Sequence, residues 1–303
     1  MSTLTPILEE FTPDRRLETR VVEIGGVAIG LRTSSLLFAK MVEERYAGFV
    51  TRQNATGSLN EIVFEIELLN SAEAAEDRYT DPRYADPHYE ENIEPEQDDD
   101  LEVTCCSGVW RMLRGDFSAE WDSASGRGRI RQAANPYSLD SVLRIVHSLV
   151  LAQRGEFLVH AASAIRNGRA FLFAGVSGAG KTTISRLAPP DATLLTDEIS
   201  YVRKNGAGYE AHGTPFAGEL ARVGAHCSAP LEALYLLRQG PENRIDEIPP
   251  VLAAQALLRN ILFFARDAEL VQRVFEGACE FVDRVPVRGL TFRPDAAVWD
   301  LIR

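Results

Sequence analysis

The stretch Gly175-Val-Ser-Gly-Ala-Gly-Lys-Thr-Thr183 lies near the middle of the chain and has the pattern G-x-x-x-x-G-K-[ST]. Gly175, Gly180, Lys181 and Thr182 occupy the fixed positions of this pattern. Glycines let successive backbone N–H groups turn inward around phosphate oxygens, the lysine adds a positive charge, and the threonine hydroxyl can ligate Mg²⁺. We therefore predict a nucleotide-phosphate site formed by Gly175, Ser177, Gly178, Ala179, Gly180, Lys181, Thr182 and Thr183.

The segments that flank this loop predict an unusual strand arrangement. The apolar runs Glu156–Ile165 and Arg169–Ala174 are typical of strands, and Asn167-Gly168 between them is a strong signal for a two-residue hairpin turn. After the loop, a helix is predicted to continue from Thr182 and to end before Pro189. The strand that leads into the loop should therefore pair antiparallel with the strand before it. In the usual phosphate-loop domain, by contrast, the neighbouring strands are reached through helices.

Two adjacent acids form the second chemical feature. Asp197 and Glu198 follow the predicted strand Ala192–Thr196, and Asp197 comes sixteen positions after Lys181. Phosphoryl transfer requires oxygen ligands for Mg²⁺ and a group that orients the acceptor hydroxyl. The position of the pair at a strand end leaves open which acid has which role. A plain acidic turn is the alternative interpretation.

Composition limits the classes of partner. The chain has 303 residues, 45% of them hydrophobic, and a formal net charge of −12 with a pI of about 5.0. This charge argues against a nucleic-acid or anionic-membrane surface, which would need clustered Lys and Arg. The sequence contains no stretch of 18 uncharged apolar residues, and Met1 to Glu10 lacks the basic and apolar regions of a signal peptide. We therefore expect a cytoplasmic protein.

The chain is predicted to form two domains. Residues 1–134 are expected to be a mostly β module, and the polar, acidic residues 71–102 within it a mobile insertion. The boundary is placed at Asn135-Pro136, because the proline can open the helix predicted over Ser138–Gln153. The elements predicted in the first module are a hairpin at Gly25-Gly26, a helix over Ser34–Tyr46, and strands over Ile62–Leu68, Val103–Leu113 and Phe117–Trp121.

The second domain, residues 135–303, is predicted to have an α/β fold whose sheet contains both parallel and antiparallel strands, as in α+β proteins. Beyond the acid pair the predicted elements are a hairpin formed by Ile199–Arg203 and Gly208–Ala211, strands over Leu231–Arg238 and Val287–Phe292, helices over Pro250–Phe264 and Asp267–Val282, and a short helix capped by Asp295.

Five motifs together give this half of the chain a family resemblance. They are Leu158-Val-His-Ala161, the Asn167-Gly168 hairpin, the GVSGAGKTT loop, Leu195-Thr-Asp-Glu-Ile199 and Gly213-Thr-Pro-Phe-Ala-Gly-Glu219. With them, residues 136–303 resemble the kinase domain of the HPr kinase/phosphorylase family, whose nucleotide-binding core is shared with phosphoenolpyruvate carboxykinases. Glu198 stands where that family has a second Asp. The family's C-terminal signature for HPr recognition is not found, so the resemblance does not imply HPr as the substrate.

The resemblance implies roles for particular residues. Asp197 would be the base for the acceptor hydroxyl, and Lys181 and His160 would stabilise the phosphates. Thr182, Asp197 and Glu198 would lie on the Mg²⁺ side of the site. Further candidates are Arg203 and Arg222 as a second clamp on the transferred phosphate, and the Gly213–Glu219 segment as a cover for the acceptor.

The leading hypothesis is an ATP- and Mg²⁺-dependent kinase that phosphorylates a hydroxyl, most simply of Ser, on a protein or peptide. The N-terminal module would recognise this acceptor. Some relatives modify precursors of peptide natural products such as lasso peptides, so a precursor peptide is one candidate acceptor. A small-molecule kinase of the shikimate or gluconate type is an alternative that the Asn167-Gly168 hairpin disfavours. An ATP-binding scaffold without transfer activity is a second alternative, and the oligomeric state, including a homo-oligomer, stays open.

Overall fold

The computed structural model describes residues 17–51, 62–69, 100–206 and 208–303. In these ranges the chain forms two large mixed sheets with helices packed against them, which confirms the α/β class with mixed sheets. The predicted acidic insertion lies outside the described residues except for residues 100–102. The division into domains at residue 134 stays a prediction.

Within the described ranges, the first sheet has eight strands: β1 (Glu18–Ile24), β2 (Val27–Thr33), β3 (Val50–Thr51), β4 (Ile62–Leu68), β5 (Glu102–Cys106), β6 (Val109–Arg114), β7 (Phe117–Asp122) and β8 (Arg127–Gln132). Their spatial order is β3-β1-β2-β4-β8-β7-β6-β5. The predicted hairpin at Gly25-Gly26 is confirmed, with both glycines at positive φ and Ile24 paired with Val27. Helix α1 (Leu36–Arg45) begins after Ser35, whose Oγ accepts the Phe38 N–H at 3.2 Å.

The second sheet has nine strands in the described ranges: β9 (Phe157–Arg166), β10 (Arg169–Ala174), β11 (Thr193–Thr196), β12 (Ile199–Asn205), β13 (Gly208–His212), β14 (Ser228–Gln239), β15 (Arg244–Glu247), β16 (Ile261–Leu262) and β17 (Val287–Phe292). Their main order is β10-β9-β12-β13-β14-β17-β15, and β11 and β16 also pair with β9. The Asn167-Gly168 turn is confirmed, because β9 and β10 are antiparallel and Arg166 faces Arg169 across the turn. On its other side β10 pairs parallel with β14.

The remaining helices are α2 (Pro136–Ala152), α3 (Lys181–Arg186), α4 (Pro250–Asn260), α5 (Ala268–Arg284) and a 3₁₀ helix (Ala296–Leu301). Among the described helices, none is both long enough and apolar enough to cross a membrane. Helix α2 begins at its predicted boundary, where Asn135 Oδ1 accepts the Ser138 N–H at 3.0 Å.

Some predicted elements are wrong in extent. The helix predicted over Pro250–Phe264 ends at Asn260, because Ile261 and Leu262 pair with β9 instead. The single strand predicted over Val103–Leu113 is the hairpin of β5 and β6, which turns at Ser107-Gly108 with both residues at positive φ. Strands β8 and β15 were not predicted. For Ile261–Leu262, β8 and β15 a partner strand distant in sequence decides the local structure, whereas β5 and β6 are separated by a local turn.

One hydrophobic core connects the two sheets. It contains Phe64 of the first sheet, Leu143 of α2 and Tyr201 of β12, all buried. The β1–β2 turn packs directly on this strand, since a Cβ at Gly25 would lie 2.3 Å from Tyr201 Cε1. The N-terminal sheet is therefore packed against the strand that begins beside the acid pair.

A polar stripe runs along the otherwise apolar helix α2. Asp140, Arg144 and His147 are spaced four and three residues apart, so they lie on one helix face. Asp140 accepts hydrogen bonds from Tyr46 Oη at 2.5 Å and from Arg45 Nε at 3.1 Å. His147 is fully buried, with Nδ1 3.4 Å from Tyr201 Oη, and burial lowers the pKa of His147 to about 3.

We expect His147 to make stability depend on pH. Its pKa in the folded protein lies below its ordinary value of 6.5, so the unfolded chain takes up the proton first as pH falls. The stability is fully present above pH 6.5 and is lost towards pH 3. Between pH 7 and pH 5 His147 should account for a loss on the order of 2 kcal/mol in the free energy of unfolding. Urea unfolding of wild type and His147→Gln at both pH values measures this loss. An equal loss in both proteins would contradict the assignment.

Candidate active site

The glycine-rich loop connects β10 to α3 as predicted. Gly180 precedes α3 with a φ of 109°, and a Cβ at this position would lie 2.6 Å from Phe292 Cζ. A Cβ at Gly175 would lie 2.7 Å from the Cβ of Ala179. The loop therefore requires glycine at Gly175 for close packing, and at Gly180 for both packing and backbone conformation.

Two side chains donate hydrogen bonds to backbone carbonyls of the loop. Lys181 Nζ donates to the Gly175 carbonyl at 3.0 Å, and Gln239 Nε2 donates to the Gly178 carbonyl at 2.5 Å. The indole N–H of Trp299 donates to the Ile184 carbonyl at 3.1 Å, and this hydrogen bond holds helix α3 in position. Of the other predicted contact residues, Ser177 is exposed, Ala179 is buried, and Thr182 and Thr183 are half-buried.

Strand β9 brings the phosphate loop and the acid pair to one place. It lies between β10 and β12 in the sheet order, with Ala161 facing Ala174 and His160 facing Ile199. The pairings Thr196 with Ser163 and Ile199 with His160 belong to one continuous register, so β11 and β12 follow β9 as one strand interrupted at Asp197-Glu198. The acid pair therefore lies next to His160, and β10, which carries the loop, lies on the other side of β9.

The hydroxyl of Thr196 shapes the corner that holds the acids. Its Oγ1 accepts the N–H of Glu198 at 3.1 Å and that of Ile199 at 3.2 Å. These bonds replace strand pairing at the interruption and turn the two acids out of the strand.

The carboxylate of Asp197 is bound to a neighbouring loop. Asp197 is 2% exposed, and its oxygens accept the Gly218 N–H at 3.0 Å and the Leu220 N–H at 2.8 Å. The segment 213–220 is also tied to the strand by Thr214 Oγ1, which donates to the Ile199 carbonyl at 2.7 Å. Asp197 thus holds this segment, which we call the 213–220 loop, against the acid corner.

Glu198 is more accessible than Asp197 and lies beside His160. Its side chain is 27% exposed, and its Oε1 lies 3.7 Å from His160 Nδ1. Burial lowers the pKa of Lys181, while the negative charges of Glu198 and Glu219 act on the same ammonium in the opposite direction. Glu198 and Glu219 are therefore carboxylates whose charge acts on Lys181. Glu219 is the last residue of the Gly213–Glu219 segment that the sequence analysis proposed as a cover for the acceptor.

Gly218 is the residue of the 213–220 loop that lies against the two acids of the pair. A Cβ at this position would lie 2.6 Å from Glu198 Oε2 and 3.1 Å from Asp197 Oδ2. With glycine here, the loop backbone lies against both carboxylates, whereas a Cβ would displace the carboxylate of Glu198.

His160 is a neutral imidazole in this environment. Burial lowers its pKa to about 4, and the positive charges of Lys181 and Arg144 act in the same direction. At neutral pH His160 can therefore exchange hydrogen bonds with a phosphate or a hydroxyl but does not add a positive charge.

Two arginines, Arg203 and Arg222, were candidates for a second clamp on the transferred phosphate. Arg203 binds Glu156 at 3.4 Å and the Gly25 carbonyl, so its guanidinium is held by the N-terminal hairpin. Arg222 is exposed. Arg144 of α2, which the sequence did not single out, lies with its guanidinium carbon 5.2 Å from the ring centre of Phe216 in the 213–220 loop. The only sequence signal for it was the polar stripe in an apolar helix.

The chemistry of the donor set fits a magnesium ion shared with a nucleotide. In the described part of the chain no three His, Cys, Asp or Glu side chains form a metal-binding group on their own. Mg²⁺ bound to phosphates usually needs only one or two protein carboxylates. Thr182, Asp197 and Glu198 supply a hydroxyl and two carboxylates of the required kind.

Comparisons with known proteins place the chain in a family. Residues 132–302 match the model of a family described as "SynChlorMet cassette protein ScmC". No curated protein matches the chain. The structure of the Hpr(Ser) kinase/phosphatase from Coxiella burnetii is similar over 39% of this chain and 87% of that chain, at 13% identity and a TM-score of 0.22, a level that supports no conclusion about activity. Because the family match covers more than half of the 303 residues, the chain belongs to the ScmC family of SynChlorMet cassette proteins.

Proposed function

We propose that this protein is an ATP- and Mg²⁺-dependent kinase that transfers the γ-phosphoryl group to a serine hydroxyl of a protein or peptide. The observation that carries the proposal is the meeting of three elements at β9: the Gly175–Thr183 loop, His160 and the Asp197-Glu198 corner. A phosphate-binding loop beside a carboxylate pair is the minimum that phosphoryl transfer requires, since catalysis is mostly positioning and charge stabilisation.

The phosphate loop and its lysine bind the donor. Backbone N–H groups of the loop would surround the β- and γ-phosphates, and Lys181 would leave the Gly175 carbonyl to contact them. Mg²⁺, when bound, neutralises charge on these phosphates. Thr182 and an oxygen of the Asp197–Glu198 pair would hold it.

The acid pair serves the acceptor. The hydroxyl oxygen attacks the γ-phosphorus, the bond from that phosphorus to the bridging oxygen of ADP breaks, and the hydroxyl proton passes to a carboxylate. We assign this proton to Glu198, since its side chain is 27% exposed and lies beside His160. Asp197, whose oxygens already accept two backbone N–H groups, then acts by positioning the 213–220 loop. This gives the role of base to Glu198, whereas the family resemblance implies Asp197 for that role.

The acceptor is best accommodated beside the 213–220 loop. This loop contacts both acids through Gly218 and reaches α2 through Phe216. The antiparallel pairing of β9 with β10 supports this kinase type over a small-molecule kinase, in which the phosphate loop follows a central parallel strand. The word "cassette" in the family description supports a search for the acceptor among products of neighbouring genes.

Incubation with γ-labelled ATP, Mg²⁺ and the products of neighbouring genes tests the proposal. We expect label on a serine of one acceptor.

Glu198→Gln should lower the transfer rate roughly 100-fold with little change in unfolding temperature, because a general base is lost. Asp197→Asn should lower both the rate and the unfolding temperature, because an amide nitrogen cannot accept a backbone N–H.

Two outcomes would contradict these assignments. Tight ATP binding with no label on any hydroxyl acceptor would favour an ATP-binding scaffold. A rate unaffected by Glu198→Gln, together with an inactive but equally stable Asp197→Asn, would return the base to Asp197.

A substitution at Gly218 tests the position of the loop. Gly218→Ala should displace the Glu198 carboxylate from its place beside the loop and lower the transfer rate roughly 100-fold, since small displacements in an active site have effects of this size. ATP affinity should change little, because Gly218 lies outside the phosphate loop. Gly208→Ala is the matched control, since a Cβ there meets only the Asn205 carbonyl at 4.0 Å. Equal rates for the two variants would exclude a role for the loop in transfer.

A further inference from the structure

We propose that Arg144 is a catalytic residue that binds the γ-phosphoryl group from the side of the acceptor. The inference rests on the proposed function, because it requires a nucleotide in the Gly175–Thr183 loop.

The first argument is the position of Arg144 on the rigid helix α2. Its guanidinium carbon lies 5.2 Å from the ring centre of Phe216, which is 1% exposed and belongs to the loop that Asp197 holds. This cation–π contact fixes the guanidinium beside the acid corner before any ligand binds. Arg144 thus borders the region in which we place the acceptor.

The second argument is an unused hydrogen-bond donor. The Nε–H of Arg144 is buried and has no hydrogen-bond partner in the described part of the chain. A buried donor on a charged group is costly to leave without an acceptor. A ligand oxygen carrying negative charge would provide the missing partner.

The third argument is the relation of Arg144 to the other cation of the site. Lys181 follows the loop that β10 carries, and Arg144 contacts the loop that Asp197 holds. Both β10 and β11, the strand that ends before Asp197, pair with β9. Lys181 belongs to the donor loop, whereas Arg144 contacts the loop assigned to the acceptor. A phosphoryl group in transfer carries charge on three oxygens between these two sides. A planar guanidinium can bind two of these oxygens through two parallel N–H groups held in a fixed geometry, which an ammonium does not have.

Binding of ATP and ADP, each with Mg²⁺, separates this role from a structural one. Isothermal titration of wild type and Arg144→Gln should show about tenfold weaker ATP binding in the variant, as expected for one lost charged hydrogen bond, and unchanged ADP binding. Arg144→Lys should retain part of the ATP affinity, because the charge remains and the paired geometry is lost. Arg259→Gln, at an exposed arginine of α4, is the matched control and should bind both nucleotides as wild type does.

The possible results have distinct meanings. If wild type binds both nucleotides and Arg144→Gln weakens neither, or weakens both equally, the inference is overturned while the proposed function stands. If wild type binds neither nucleotide, the proposed function fails and this inference with it. Should Arg144→Gln not fold, Arg144→Lys decides the matter. A loss restricted to ATP supports the contact, and equal affinities to wild type for both nucleotides exclude it.

Discussion

The antiparallel pairing of β9 is the constraint on which the site depends. One half of this strand pairs with β12 and the other half with β10, so a single ten-residue strand aligns the phosphate loop with the acid corner. Side chains alternate between the two faces of a strand, and a shift of one residue would reverse them. Such a shift would move His160 away from Glu198 and would bury polar groups in the core. The register is therefore set by the hydrophobic core and the site follows from it.

Positive and negative side chains lie close together in the site and affect each other's pKa values. The negative charges of Glu198 and Glu219 act to raise the pKa of Lys181, against the effect of burial. His160 is kept neutral by burial and by the positive charges of Lys181 and Arg144. Asp197 is bound by backbone N–H groups. Under the proposed function, the backbone N–H groups of the Gly175–Thr183 loop would be donors fixed in advance for the phosphates, which would lower the reorganisation required during transfer.

The sequence predicted the parts of the site that have local signals. The glycine positions of the loop, the Asn167-Gly168 turn and the strand that ends before Asp197 depend on backbone preferences of nearby residues, and all three are confirmed. Long-range effects were missed. The helix predicted beyond Asn260 yields to pairing with β9, and Arg144 reaches the site only through the packing of α2 on the 213–220 loop. The binding of Asp197 to Gly218 and Leu220 spans more than twenty residues and leaves no trace in spacing or composition.

The N-terminal sheet contacts the strand that leads away from the acid pair. Its first hairpin packs on Tyr201 and accepts a hydrogen bond from Arg203, both on the strand that begins next to Glu198. A crystal structure with Mg²⁺ and a non-hydrolysable ATP analogue tests the central claim most directly. We predict phosphates inside the Gly175–Thr183 loop, Lys181 Nζ on a phosphate oxygen instead of the Gly175 carbonyl, and the metal bound to the Asp197–Glu198 pair. A nucleotide bound elsewhere, with the Lys181–Gly175 hydrogen bond intact, would contradict the account.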